Sequence, residues 1–447
     1  MPPPTVESVI PKRPSAYRWL WFLAAVALGI AGLVVGVLRD EMPYDAFDLK
    51  PRARTLPDAD NALLVFRAIA IERAPDTKSE TYQADLDQAL EHSDVWDETA
   101  ANRLVSVRPD LWPRFDAALR LPHAEVPLPK SIKDVPPPHF GDMQNLWRIA
   151  ALRARLLAHT QSADTGLALA VSQLESLRVQ TDAGGTLIDY LSTAAYRGQT
   201  LRNIELILRE TRPSAPALRE ALLRLHPARP SPEALAETFR AEHAFSIMAL
   251  SEIKHTLATA NQSGMSGFYE QPPFCVTWFF KPNQTIRLFA ENTRAALPLI
   301  GQPLPRLTDV LIRQPAKPSA ALFGRIPNPD NALGRYALGL IGNTYSRVLK
   351  IWLRDQTRYS AIEAALAVTC FQRDHGTFPD TLAALVPAYL PEVPRDYFDG
   401  APIRYSRDLG VLWSVGENNL VVTEPNQELQ PKEIIVYLTS RPRPSAK

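Results

Sequence analysis

Apolar and polar positions alternate at helical spacing over most of this chain. Between residues 58 and 330, apolar side chains recur every three or four residues, the period of an amphipathic helix. The links between these patterns are short and carry glycine or proline, and short links favour antiparallel packing of neighbouring helices. The pattern predicts a mainly α protein with an all-α domain over residues 58–330. Its first helix is predicted to begin with Asp58 or Asp60 as the cap.

One uninterrupted apolar run precedes this domain. The residues from Trp19 to Leu38 include no charged side chain, and about 20 apolar residues cover the hydrocarbon thickness of a bilayer. Only a helix satisfies its own backbone there as a single segment. Basic residues before the run keep a 1–18 tail in the cytoplasm and direct the bulk of the chain outward. We therefore predict a single-pass membrane helix, with residues 39–57 as an extended linker.

A cleaved signal peptide is the alternative for this apolar run. Arg39–Pro43 follows it directly and lacks the small-residue pattern of a cleavage site, which favours an uncleaved anchor. Gly32 and Gly36 form a Gly-x-x-x-Gly pair, a pattern that lets two membrane helices approach closely. Two interpretations stay open: a homodimer through Gly32 and Gly36, or small residues that lipid merely tolerates.

A stretch rich in aromatic residues interrupts the helical patterns at 261–289. It has two interpretations, a packed crossover between helical layers or an exposed patch for a partner. The sequence alone does not decide between them. The aromatic residues are Phe268, Tyr269, Phe274, Trp278, Phe279, Phe280 and Phe289.

The last part of the chain predicts a small α+β module over residues 331–440, followed by a 441–447 tail. A long helical pattern runs from Asn331 to His375, where Gly376 can end the helix in the left-handed conformation. Ile403–Ser406 and Val411–Val415 alternate in polarity around a four-residue turn, which indicates a hairpin. The runs Leu420–Thr423 and Glu433–Leu438 are candidates for further strands. One hairpin face must be covered, so Trp413 and Tyr405 are expected on the helix that holds Leu366 and Cys370.

Residues 360–419 resemble a known family, the globular head of the major pseudopilin of type II secretion systems. The motifs that carry the resemblance are Phe371–Pro379, Leu382–Pro387, Tyr389–Leu390, Pro394–Tyr405 and Trp413–Gly416. The same ending occurs on large membrane-anchored bacterial proteins of unknown function, which the whole chain resembles more closely. The resemblance implies a bacterial inner-membrane protein with its bulk in the periplasm. The chain departs from the pseudopilin pattern because its apolar run lies far upstream of the head's own helix.

The resemblance also raises a calcium site, since major pseudopilins bind calcium in a C-terminal loop. Asp396, Asp399 and Glu417, with Asn418 and Asn419, offer oxygen ligands of the right kind. The acidic, glycine-rich tail that would complete such a site is missing after Gly416, where an apolar run follows instead. Solvated turn residues are the favoured interpretation, and the head is predicted not to need calcium.

Charge and cysteine content restrict the function classes. The formal net charge is +1 at pH 7 and the pI is near 7.8, without the basic excess of a nucleic-acid-binding surface. The two cysteines, Cys275 and Cys370, are too few for a disulfide framework. They either pair in an oxidising compartment or stay buried thiols.

A search for catalytic and metal motifs finds little. Glu252 and His255 have the Glu-x-x-His spacing of di-iron bundles, but such a site needs two copies and two further glutamates. Residues 264–267 fall one residue short of Gly-x-Ser-x-Gly and sit in a predicted loop. No catalytic, cofactor-binding or metal residue is assigned, and no cofactor is predicted.

Two hypotheses for the function follow. The favoured one is a non-catalytic, membrane-tethered protein for interaction or envelope assembly, associated with secretion, with a protein partner of unspecified identity. The alternative is an extracytoplasmic enzyme or ligand-binding protein with its site in the helical domain. A deep pocket with pKa-perturbed groups would favour the alternative, and a shallow surface with an apolar patch would favour the interaction role.

Overall fold

The fold was analysed in a computed structural model. It describes residues 21–29, 39–53, 55–91, 96–127, 129, 131, 139–263, 280–304, 307, 331–417 and 434–439. Within those ranges the labelled helices are α1 (Ala62–Thr77), α2 (Glu80–Glu91), α3 (Glu98–Val105), α4 (Trp112–Ala118), α5 (Phe140–Thr160), α6 (Ala163–Asp182), α7 (Leu187–Glu210), α8 (Ala215–Leu225), α9 (Pro232–Ser263), α10 (Pro282–Ala296) and α11 (Ala332–His375). The strands are β1 (Arg404–Ser406), β2 (Val411–Trp413) and β3 (Ile435–Tyr437).

Polar caps explain where several helices begin. Ser162 and Ser214 accept hydrogen bonds from the third residue of α6 and α8, at 3.1 and 3.3 Å. The first helix begins at Ala62 rather than at Asp58 or Asp60, which lie in a short 3₁₀ helix. Asn61 caps it by accepting a hydrogen bond from the Leu63 N–H. The prediction for this helix start was therefore wrong by a few residues.

The described core forms two large hydrophobic clusters. One is aromatic and joins α1 and α4 to α5, with Phe66, Phe115 and Trp147 at its centre. The other joins α6, α7, α8 and α11, and it includes residues of the C-terminal sheet. Helix α11 thus shares its core with the helices of the predicted all-α domain, because its apolar side chains face α7 and α8.

Residues 40–48, part of the predicted extended linker at 39–57, pack along α10. Asp40 accepts hydrogen bonds from two backbone N–H groups in the first turn of α10, so it acts as a cap from outside the helix. Arg287 and Arg294 pair with Glu41 and Asp48 at 2.7 and 2.6 Å. Contacts across more than 240 residues therefore hold this segment on the helix.

The C-terminal elements agree with the sequence pattern. Helix α11 ends at His375, and Gly376 follows with a φ of 77°, the left-handed conformation expected of a helix-ending glycine. Strands β1 and β2 pair antiparallel around the predicted turn, and β3 adds to the other edge of β2. Residues 418–433, which include the candidate strand at 420–423, lie outside the described residues.

The register of the sheet decides which residues face α11. Tyr405, Leu412 and Val436 lie directly opposite one another, and they pack in the cluster that holds Leu366 and Cys370. Tyr405 therefore lies on the face of the sheet that packs against this cluster, where it is partly buried. Side chains alternate along a strand, so Trp413 lies on the other face of β2, where it is also buried. Leu412, and not Trp413 as predicted, is therefore the residue of β2 on the face toward α11.

One part of the predicted fold class is corrected. Within the described part of the chain, no helix has both the length and the apolarity needed to cross a bilayer. This finding contradicts the predicted membrane helix at Trp19–Leu38, and with it the predicted single-pass anchor and the inner-membrane location. Residues 21–29 of that run are helical with exposed side chains, and its other positions, including Gly32 and Gly36, lie outside the described residues.

Candidate functional site

The candidate calcium ligands of the sequence are paired with arginines. Asp396 is fully buried and accepts hydrogen bonds from two backbone N–H groups and from Arg404, whose Nη1 lies 2.8 Å away. Asp399 pairs with the same guanidinium, and Glu417 pairs with Arg354. The arginines supply positive charge beside these carboxylates. Among the described residues, no group of three or more His, Cys, Asp or Glu side chains is placed to hold a metal ion.

Of the two cysteines and the remaining motif residues singled out in the sequence, the structure describes the side-chain position of Cys370 but not those of the rest. Glu252 and His255 lie in α9, but their side chains are not described, and residues 264–267 and Cys275 lie outside the described ranges. Cys370 is a free, buried thiol in α11, and burial raises its pKa. No pairing of the two cysteines can therefore be assigned.

A cavity of about 530 Å³ lies at the start of α7, and we refer to it as the α7 cavity. Six helices and one loop segment contribute to its walls. They are α1, the segment with Val126, Pro127 and Pro129, the first turn of α5, the end of α6, the first three turns of α7, α9, and α11 through Thr344. Its apolar wall consists of Leu63, Val126, Pro127, Phe140, Met143, Leu187, Ile188, Leu191 and Phe245.

The turn between α6 and α7 shapes one side of this cavity. Gly184 and Gly185 have φ values of 74° and 116°, which side chains other than glycine rarely adopt. A Cβ on Gly185 would also lie 2.8 Å from Cγ2 of Val126 in the facing segment. The side chain of Asp189 then accepts hydrogen bonds from both the N–H and the hydroxyl of Thr186, closing a capping box at the start of α7.

Four of the hydroxyl groups in the cavity wall share one orientation. Each of four Ser and Thr hydroxyls donates its hydrogen to the carbonyl four residues earlier in its own helix. A hydroxyl has one hydrogen, so these groups have only lone pairs left for a ligand. The donors are Thr181, Ser192, Thr193 and Thr238, at 2.8, 2.8, 2.9 and 3.1 Å from their acceptors.

Two further acceptors line the cavity. Gln180 is 3% exposed, and its Oε1 accepts no hydrogen bond from any described residue. Glu242 accepts a hydrogen bond of 3.0 Å from the N–H of Leu187. Burial raises the pKa of Glu242, the Leu187 N–H partly offsets this, and the nearby charge of Asp189 adds to the rise. A buried amide oxygen without a donor is unfavourable unless a ligand or water supplies one.

A buried ion pair contacts two residues of the cavity wall. The Nε of Arg197 in α7 lies 2.8 Å from Oδ2 of Asp355 in α11, and both side chains are at most 4% exposed. Burial opposes the charge of Arg197, but the Asp355 carboxylate raises its pKa above the ordinary value. Arg197 also donates to Thr181 and lies over the ring of Tyr190, and both of these residues line the cavity.

A larger depression beside α6 and α8, of about 660 Å³, differs in character. Most of its charged side chains already have ion-pair partners. Arg224 binds Glu175 at 2.7 Å, and Arg178 binds Asp182 at 2.5 Å. Because these ion pairs occupy most of its charged groups and the α7 cavity has the more apolar wall, the α7 cavity is the better candidate for a ligand.

Glu242→Gln should raise the free energy of unfolding at neutral pH. A carboxyl group whose pKa is raised on folding favours the protonated form, so its contribution is fully present below the unfolded pKa and is lost as the pH rises through the folded pKa. Glutamine keeps an acceptor for the Leu187 N–H and never ionises. The gain should therefore be largest near pH 7 and vanish below about pH 4, close to the pKa of an unfolded glutamate. Urea denaturation at several pH values measures it, and a loss of stability at pH 7 would contradict this assignment.

Sequence reasoning did not identify this cavity. The sequence does contain local signals at its edge, since Gly184 and Gly185 can break a helix and Thr186 can start the next one, and both features are present. Asp189 at the third position of that helix completes a recognisable capping box. Gln180 and Glu242 are 62 residues apart, and no local sequence pattern indicates that both line the same cavity.

Comparisons of the chain with protein-family models, with curated proteins and with solved structures found no match. The resemblance of residues 360–419 to the pseudopilin head therefore rests on its sequence motifs alone and stays a prediction.

Proposed function

We propose that the helical domain binds a small, largely apolar molecule in the α7 cavity. The observation that carries this proposal is the cavity itself, whose volume of about 530 Å³ falls within the range of about 300–1,000 Å³ common to small-molecule sites. Its apolar walls supply the hydrophobic contribution, and a few fixed polar groups can orient a ligand.

This proposal follows the ligand-binding alternative raised by the sequence. The pocket with pKa-perturbed groups that was expected to favour it is present, since the pKa values of Glu242, Tyr190 and Tyr196 are all raised by burial. The structure contradicts the membrane anchor of the interaction hypothesis, whose non-catalytic role stays a prediction. Its unspecified protein partner stays a prediction, and the geometry gives no reaction to assign.

Nile red, a neutral fluorescent probe of apolar sites, should bind the full chain with saturable fluorescence. Leu191→Trp enlarges a half-buried side chain of the cavity wall and should weaken binding by about tenfold, equivalent to about 1.4 kcal/mol. The matched control is Leu223→Trp, because Leu223 is exposed on α8 and does not line the cavity.

Fluorescence titration of the two variants beside the parent protein measures the effect. Denaturation curves run in parallel detect any cost of overpacking. Equal binding by Leu191→Trp and the parent protein, or equal losses in both variants, would contradict the proposed site.

A further inference from the structure

The polar surface of the α7 cavity presents hydrogen-bond acceptors at several points, beside two groups that can also donate, the Tyr190 hydroxyl and the Arg67 guanidinium. The hydroxyls of Thr181 and Thr193 donate their hydrogens to backbone carbonyls. The side-chain oxygen of Gln180 accepts no hydrogen bond from any described residue. Tyr196 likewise donates to the carbonyl of Phe140, at 3.3 Å. A ligand that brings only acceptors would leave these groups unpaired, so the cavity favours a ligand that brings donors.

The position that an anion would prefer is already occupied. The N-terminus of a helix attracts negative charge, and the start of α7 borders the cavity. Asp189 binds Thr186 there, and Glu242 binds the N–H of Leu187. A carboxylate or phosphate on a ligand would therefore meet two carboxyl groups at the start of α7.

The basic side chains of the lining are His139 and Arg67. His139 at the start of α5 is paired with Asp142, with Nδ1 and Oδ2 3.1 Å apart. Arg67 in α1 is half-exposed and has no ion-pair partner among the described residues. Arg67 is the group that would attract an anionic ligand. Substitution of Arg67 therefore tests whether the cavity binds an anion instead of a cation.

We infer that the α7 cavity takes an amphiphile with an apolar body and a primary amine as its polar end. The protonated amine carries three donors, which suit the carboxyl group of Glu242 and the unpaired oxygen of Gln180. The body of the ligand lies against the apolar wall that includes Leu187 and Phe245. This inference rests on the proposed function, because it assigns the polar end of the same ligand.

The test compares three probes that share one apolar chain: decylamine, 1-decanol and decanoate. Each is titrated at pH 7 and below its micellar concentration against the full chain loaded with Nile red, and displacement gives its affinity. Decylamine should bind about tenfold more tightly than decanoate, with 1-decanol between them.

Two matched substitutions locate the amine. Glu242→Gln should weaken decylamine about tenfold and leave 1-decanol within about twofold. Glu233→Gln, at an exposed position of the same helix, should change neither. Gln180→Met removes the second acceptor without a change of charge and should also weaken decylamine more than decanol.

The outcomes separate the two proposals. If Nile red and the decyl probes all fail to bind, the proposed function fails and the amine inference falls with it. If they bind but decanoate is as tight as decylamine or tighter, the inference alone is overturned. Loss of decanoate binding on Arg67→Gln would then assign the polar end to Arg67. Equal losses in Glu242→Gln and Glu233→Gln would also overturn the inference.

Discussion

Asp355→Ala should lower the free energy of unfolding by about 3–5 kcal/mol, the usual cost of removing one partner of a buried ion pair. Arg197 is fully buried, and Asp355 supplies the carboxylate within 2.8 Å of its Nε. Without that carboxylate, a guanidinium charge stays in the core between α7 and α11 with a hydroxyl and aromatic rings as its neighbours. Urea denaturation followed by circular dichroism measures the loss.

Two controls separate the buried charge from other effects of the substitution. Arg197→Met combined with Asp355→Ala removes both charges and should recover most of the loss, since apolar replacements of buried pairs are often neutral or better. Asp85→Ala breaks an exposed pair with Arg103, whose side chain is 66% exposed, and should cost no more than about 1 kcal/mol. If Asp355→Ala cost as little as Asp85→Ala, the pair would not have the role assigned to it.

Local signals account for the parts of the fold that the sequence predicted. The end of α11 depends on Gly376, whose positive φ is a property of that one residue and its neighbours. The hairpin depends on alternation along β1 and β2 and on the turn that joins them. Such features lie within a few residues of sequence, so a pattern of apolar and polar positions contains them.

Tertiary contacts decided the parts that the sequence left open. Asp58, Asp60 and Asn61 are all suitable caps for α1, and Asn61 is the one that serves. Its side chain also donates to the carbonyl of Glu125, at 2.7 Å, and accepts from the N–H of that residue. This partner lies 64 residues away, which no helix-start rule can include.

The sequence could not predict the candidate site for the same reason. The Arg197–Asp355 pair spans 158 residues, and the α7 cavity forms where six helices and a loop segment meet. Charged residues in amphipathic helices usually face solvent, so the pattern gives no sign that these two face each other. The apolar run at Trp19–Leu38 shows that a sequence pattern can also predict too much. Its composition is typical of a membrane helix, but the described residues contain no helix able to span a membrane.

Trp147→Ala should have the other large effect, a loss of about 3–5 kcal/mol in the free energy of unfolding. Trp147 is 1% exposed, and its ring centroid lies 5.0 Å from that of Phe66 and 5.5 Å from that of Phe115. These rings join α1 and α4 to α5, so truncation leaves a cavity among three helices. Thermal and urea denaturation measure the loss, and Trp21→Ala is the matched control, since Trp21 is 76% exposed and its removal should change stability by no more than about 0.5 kcal/mol.

The same substitution should also affect the α7 cavity. Trp147 stacks on Tyr196 with the ring centroids 6.3 Å apart, and Tyr196 lines the cavity. Removing the indole leaves Tyr196 free to tilt away from the site, so Trp147→Ala should weaken Nile red under conditions where the variant is still folded. Trp147→Phe keeps a ring against Tyr196 and should retain most of the binding. If Trp147→Ala lost stability and bound Nile red as tightly as the parent protein, the aromatic cluster would support the fold without setting the shape of the cavity.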